Sequence, residues 1–303
     1  MAREAPYYIG RVLKFGALND AELLEALRDP VTVSRGQFLY TVTQYQAHRD
    51  EAGIEYHSGR LAKFRPSGEV GVVEPEWHAE RTEDIANLLE AASSFVFLPE
   101  FSAVAYQHVW NQIERDRFRS LWSELIREKY EGLFRSCEVE PITDLRAFVK
   151  RIAALNRIQK LDATVHPPNP LFGPAWVSLT RYLRDRRLQE VTVKETARDP
   201  EGIESGIIQI ARAATDRPEG DGIADPELLS AVGRSVGDAA VLMAVDGYGK
   251  ARIEGMEGQE RKIIRTYEAQ HGFRAPSDAP PNVLYEQARH ILLAINDDRY
   301  LEH

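Results

Sequence analysis

The spacing of apolar residues along the chain predicts several amphipathic helices. The clearest covers residues 111–130, because apolar side chains recur there every three or four positions. Capping side chains and prolines mark the starts of other helices, since both suit the unpaired amides of a first turn. These starts are Asn19, Thr82, Thr143 or Asp144, Pro174 and Asn282.

Shorter stretches with alternating or continuous apolar residues predict strands. In the first half they are residues 7–15, 38–45, 61–64, 70–73, 94–98 and 103–108. In the second half they are residues 158–165, 191–196, 239–245, 250–254 and 262–267, with a turn at 246–249 between two of them.

Helices and strands are mixed without strict βαβ alternation, which predicts an α+β fold rather than a doubly wound sheet. We expect two lobes, residues 1–135 and 136–300, each a small, mainly antiparallel sheet with packed helices. Residues 301–303 (LEH) look like the remnant of a cloning tag.

Composition narrows the class of protein. Of 303 residues, 43% are hydrophobic and 28% charged, which is ordinary for a folded globular protein and excludes a largely disordered chain. The single cysteine, Cys137, rules out an internal disulfide and suits a reducing compartment. No signal peptide or membrane-spanning apolar run is visible, so we expect a cytoplasmic protein without a membrane partner.

The charge balance opposes nonspecific binding to nucleic acid. Thirty-eight basic residues against 47 acidic ones give a net charge of −9, and a field of that sign repels phosphate. A local arginine cluster can still override it, because fields are screened over about 10 Å.

Two basic clusters are the positive signals for function. Arg181 and Arg184 lie on the outer side of the helix predicted after Pro174, with Arg187 at its margin, and Arg261, Lys262 and Arg265 lie in the last strand pair. Guanidinium groups can fork onto phosphate oxygens, so we take these six residues as candidate nucleic-acid-binding residues. The alternative is a solvated face that nearby carboxylates neutralise.

Catalytic signatures are missing from the sequence. It has no Walker A loop, kinase motif set or Gly-x-Ser-x-Gly elbow, and no two histidines stand three to five residues apart. We therefore name no catalytic or metal-binding residue, expect no cofactor, and leave open whether the protein is an enzyme. The alternating Glu74, Glu76 and His78 keep a metal-dependent hydrolase or nuclease as an alternative.

Four segments carry a family resemblance: GQFLY at residues 36–40, FVFLPE at 95–100, SAVAY at 102–106 and VEPI at 139–142. Over residues 30–165 the layout resembles the RexA-like phage-exclusion proteins of bacteria and temperate phages. The resemblance implies a DNA-binding sensor that triggers a partner effector and is not itself an enzyme.

These observations favour a non-enzymatic, cytosolic sensor, acting in phage defence, that recognises nucleic acid or a nucleoprotein and signals to a protein effector. Two alternatives remain, the metal-dependent enzyme and a structural subunit of a larger complex. The apolar stripe of the last predicted helix could also pack against a second copy to form a homodimer.

Overall fold

A computed structural model describes residues 4–131, 134–168, 177–215 and 235–299. Its strands are β1 Glu4–Gly16, β2 Val33–Arg35, β3 Phe38–Arg49, β4 Glu55–Glu74, β5 Ala79–Leu98, β6 Ala103–Gln107, β7 Arg135–Pro141, β8 Arg157–Val165, β9 Val191–Thr196, β10 Gly249–Glu257, β11 Glu260–Arg265 and β12 Gly272–Pro276. Its α-helices are α1 Asp20–Arg28, α2 Arg115–Lys129, α3 Leu145–Ala153, α4 Val177–Asp185, α5 Gly206–Thr215, α6 Val236–Val245 and α7 Pro281–Arg299.

The strands form an eight-stranded and a four-stranded sheet, which confirms the α+β class. The chain divides into two compact units. The first takes in residues up to 8, 14–139 and 273–286, and the second takes in 9–13, 140–272 and the chain from 287. Each unit is described separately below.

The larger sheet has the order β12-β1-β6-β5-β4-β3-β2, with β7 paired to β1. The pairings from β2 to β6 are antiparallel. Helix α2 covers one face with an aromatic core: Trp122 packs edge-on against Phe95 at 4.8 Å, and Phe118 stacks on Tyr106 at 4.3 Å. The helical spacing read from the sequence therefore predicted a real packing face.

Helix α1 begins as its capping residues predict. The Asn19 side chain accepts a hydrogen bond from the Glu22 backbone amide, and the Glu22 carboxylate accepts one from the Asn19 backbone amide. This reciprocal pair satisfies two of the amides that a helix start leaves unpaired.

The helix predicted to start at Thr82 is wrong, since that residue lies in β5. Strands β4 and β5, each of 20 residues, pair antiparallel in a hairpin whose turn lies near His78. Ile85 and Leu89 have helical spacing, yet they remain 38% and 54% exposed, so no core selects a helix there. Cross-strand pairing overrides the local pattern.

The second sheet has the order β11-β10-β8-β9, with antiparallel pairings throughout. The strand predicted over residues 239–245 is wrong, because this segment lies in α6. Residues 237–245 are all buried, and a short run that is apolar on every side does not distinguish a buried helix from a buried strand. The turn at residues 246–249 consequently links α6 to β10 rather than two strands.

The last helix is confirmed as α7. In its apolar stripe, Leu284, Leu292 and Ile295 are buried and Ile291 is half-buried, and packing of this helix against a second copy stays a prediction. Pro174 and residues 301–303 lie outside the described residues. None of the helices in the described part of the chain has the length and apolar character that crossing a bilayer requires.

Candidate nucleic-acid interface

Helix α4 sets the direction of the first arginine cluster. Leu179 and Leu183 are buried, at 5% and 0% exposure, and fix the inner side of the helix. Arg181 and Arg184, three positions apart, are exposed and therefore share the outer side.

Arg187 follows α4 two residues after its last residue, Asp185. The Arg187 amide donates to the Arg184 carbonyl and the Leu188 amide donates to the Leu183 carbonyl, both at 2.9 Å. This bond pattern is a Schellman motif, which needs a left-handed residue at the position of Arg187. Arg187 has a φ of 54°, where glycine is the usual residue.

Two residues that the sequence analysis did not single out extend the cluster. The Arg186 guanidinium donates to the Tyr182 hydroxyl at 3.1 Å and lies 5.5 Å from the centre of that ring. Tyr182 is 44% exposed, so the pair presents a cation on an aromatic surface. Alternating arginines and an aromatic residue at the end of a helix are the signal that could have identified them.

The α4 arginines have no carboxylate partner in the part of the chain that the structure describes. Arg184 donates to the Pro168 carbonyl at 3.2 Å, and no ion pair within the described residues involves Arg181, Arg184, Arg186 or Arg187. Asp185 and Glu190, which are carboxylates near this face in the sequence, are exposed but form none of these pairs. Within the described residues, the donors of Arg181 and Arg187 are therefore not taken up by a carboxylate. The negative end of the helix dipole stabilises cations at the same place, which gives these arginines a structural role as well.

The second cluster differs from the first because each of its cations is paired. Arg261 forms an ion pair with Glu254, Lys262 lies 2.7 Å from Glu260, and Arg265 lies 2.8 Å from Glu268. Hydrogen bonds from these cations lower the pKa of Glu254 and of Glu260. Each cation of this cluster thus already has a carboxylate partner.

The second cluster also lacks a common face. Arg261 and Arg265 lie on one face of β11, and Lys262 lies on the other, because successive residues of a strand alternate. Strand β11 is one edge of the four-stranded sheet, and β9, the strand that follows α4, is the opposite edge. The sheet does not bring the two clusters onto adjacent strands.

The alternative metal site lies at the turn of the β4–β5 hairpin. Glu74 is the last residue of β4 and is 3.2 Å from the Arg81 guanidinium, while His78 has a left-handed φ of 48° in the turn. The segment leads into β5 and not into the expected helix. Across the described residues, no three His, Cys, Asp or Glu side chains converge to hold a metal ion.

Cys137 is packed in β7 with 2% exposure. Burial raises the pKa of its thiol to about 12, so the thiolate required for nucleophilic attack is not available near neutral pH. The residue acts as a small apolar side chain.

Comparison with known proteins gives one family. No curated protein matches the sequence. A family model described as a domain of unknown function, DUF4747, matches residues 21–216, which is more than half of the 303-residue chain and includes α4 but not β11. The chain therefore belongs to the DUF4747 family.

Proposed function

We propose that this protein is a non-enzymatic, cytoplasmic sensor that binds nucleic acid through the arginines at the end of α4. The observation that carries the proposal is the contrast between the two basic clusters. The arginines at the end of α4 are exposed and have no carboxylate partner within the described residues, whereas each cation of the β11 cluster is paired with a carboxylate.

The chemistry of the α4 face supports phosphate as its target. Arg181 and Arg184 lie about one helical turn apart on α4 and Arg187 follows just beyond its end, and each guanidinium can donate two parallel hydrogen bonds to a phosphate group. Tyr182 beside Arg186 adds an exposed ring on which a base can stack. Contacts of this kind fix the position on a nucleic acid backbone without reading its sequence.

The proposal extends to a downstream partner. By their resemblance to the RexA-like proteins, the segments at residues 36–40 and 95–106 favour a role in phage defence, in which nucleic acid or nucleoprotein binding signals to a protein effector. The sequence has no recognised catalytic motif, so we assign the chemistry to that effector and not to this chain.

The test is a matched pair of triple variants. Arg181→Gln/Arg184→Gln/Arg187→Gln removes three positive charges from α4, and Arg261→Gln/Lys262→Gln/Arg265→Gln removes the same number from β11. We expect the α4 variant to bind fluorescein-labelled duplex DNA at least about 100-fold more weakly, since each of three charge-assisted contacts contributes about 1 kcal/mol or more. The β11 variant should bind within about threefold of the wild type.

Circular dichroism checks that both variants fold. If the α4 triple variant unfolds, the double variant Arg181→Gln/Arg187→Gln, which keeps the Arg184 bond to Pro168, takes its place. Equal DNA affinity of the α4 variant and the wild type would refute the proposal.

A further inference from the structure

A cavity of about 610 Å³ lies in the first unit, within the size range of small-molecule sites. Strands β3, β4 and β5 form its floor, and residues 277–284, which lead into α7, border it. Its polar side chains are Gln44, Gln46, Ser58, Arg60, Ser94, Ser277 and Asp278.

Strand register brings the floor residues onto one face of the sheet. Arg60 lies opposite Ser94 on β5, and Ser58 lies opposite Gln46 on β3. Paired residues of antiparallel strands project to the same side, so these four side chains share a face. Phe95 alternates with Ser94 and packs on the other side against α2.

A β-bulge directs a second glutamine to the cavity. Thr43 pairs with Arg60 and Gln46 pairs with Ser58, so two residues of β3 stand opposite a single residue of β4. Gln44, one of the two, has a φ of 53°, a conformation that is strained for a residue with a side chain. Bulges and strained residues of this kind are concentrated beside binding sites, where they redirect a side chain.

Arg60 is the charged group on the floor. Its Nε atom is buried and has no acceptor within the described residues, and no carboxylate oxygen of that part of the chain lies within 4.0 Å of its guanidinium. A guanidinium is always charged in a protein and needs acceptors when it is buried. Asp278 is exposed at the border and likewise forms no ion pair in the described ranges.

The charges of Arg60 and Asp278 both affect the ionisation of Tyr7. Burial and the Asp278 charge raise the pKa of Tyr7 and the Arg60 charge lowers it, which together bring the pKa to about 12. A ligand in the cavity would therefore meet a cation on the floor and a carboxylate at the border.

We propose that this cavity binds a small organic anion whose carboxylate or phosphate group is held by Arg60. The amides of Gln44 and Gln46 then hydrogen-bond to polar groups on the rest of the molecule. Asp278 accepts a hydrogen bond from a hydroxyl or amine of the ligand. This site is separate from the α4 arginines and does not depend on the proposed nucleic-acid binding.

Inorganic phosphate and acetate are the minimal probes, because each carries only the anionic group. In the ¹⁵N-labelled full chain, the arginine Nε–H signals are recorded during titration with each probe, and sodium chloride at equal ionic strength is the control. The signal that disappears in Arg60→Lys identifies Arg60. We expect this signal to shift saturably with phosphate, acetate or both. The probe that binds more tightly then indicates whether the anionic group of the ligand is a phosphate or a carboxylate.

Arg49→Gln is the matched control variant, since Arg49 is 73% exposed near the end of β3. The preferred probe should raise the thermal midpoint of the wild type, of Arg49→Gln and of the α4 triple variant, but not that of Arg60→Gln. If neither probe moves the Arg60 signal more than chloride does, the proposal is wrong. This result comes from the wild-type chain, so it stands even if Arg60→Gln fails to fold.

Discussion

Arg187 occupies a backbone conformation that glycine adopts at no steric cost. Its positive φ and the two hydrogen bonds of the Schellman motif fix it at the end of α4, where glycine is the commonest residue. An arginine there costs the folded protein stability. A requirement for the Arg187 guanidinium in nucleic-acid binding would explain why arginine occupies this position.

We therefore expect Arg187→Gly to separate stability from binding. Glycine relieves the left-handed strain, so the free energy of unfolding should rise by about 0.5–1 kcal/mol in urea denaturation. The same substitution should weaken duplex DNA binding about fivefold or more, because one phosphate contact is lost.

Arg187→Ala is the control for this prediction, since it removes the guanidinium but keeps a side chain in the left-handed region. It should weaken DNA binding as much as Arg187→Gly without the gain in stability. A glycine variant that binds DNA like the wild type would show that the strain at Arg187 does not serve DNA binding.

At the scale of elements, the sequence predicts those whose apolar pattern matches a single type of structure. Helix α2 has a complete helical stripe and a core of Phe95 and Tyr106 to receive it, and α1 carries both halves of its capping box. Both were therefore predictable from local spacing.

The elements that were mispredicted depend on distant partners. Residues 79–98 become a strand because β4 pairs with them along the hairpin, and the segment containing residues 239–245 becomes a buried helix.

The two candidate sites likewise differ in how far local sequence predicts them. The outer face of α4 follows from helical spacing, whereas the Arg60 cavity requires residues 277–284, more than 200 positions along the chain.

Helix α6 and strand β9 place two carboxyl groups in an unfavourable environment. Burial and the nearby Asp238 charge raise the pKa of Glu195, and burial raises that of Asp238, which accepts hydrogen bonds from the Ser205 hydroxyl at 2.7 Å and the Gly206 amide at 2.8 Å. Each folded carboxyl thus holds its proton more tightly than the unfolded chain does. Stability therefore falls as the pH rises from the ordinary carboxyl pKa through the raised one.

Glu195→Gln should remove part of this pH dependence. The amide keeps an oxygen that can accept from the Gly237 backbone and carries no charge at any pH. We expect the free energy of unfolding at pH 7 to rise by less than about 1 kcal/mol, and its decline above about pH 4.5 to become shallower.

Urea denaturation at a series of pH values measures this difference. Glu190→Gln, at an exposed position just before β9, is the control and should leave the decline unchanged. A Glu195→Gln curve parallel to that of the wild type would show that Glu195 does not titrate differently in the folded state.

For the whole molecule, the proposed function requires a locally positive surface on a protein whose net charge is −9. The acidic remainder of the chain repels a polyanion at long range, while the α4 arginines attract it within a screening length of about 10 Å. Binding should then depend on a few phosphate contacts, and the dependence of the binding constant on salt concentration should give their number.

The most direct test is the fluorescence anisotropy of labelled duplex DNA titrated with the wild-type protein at several salt concentrations. If Arg181, Arg184 and Arg187 each neutralise one phosphate, the logarithm of the binding constant should fall with the logarithm of salt concentration at a slope of about −3. The slope should approach zero in the α4 triple variant. No binding at low salt, or binding that salt does not weaken, would contradict nucleic-acid recognition by the α4 arginines.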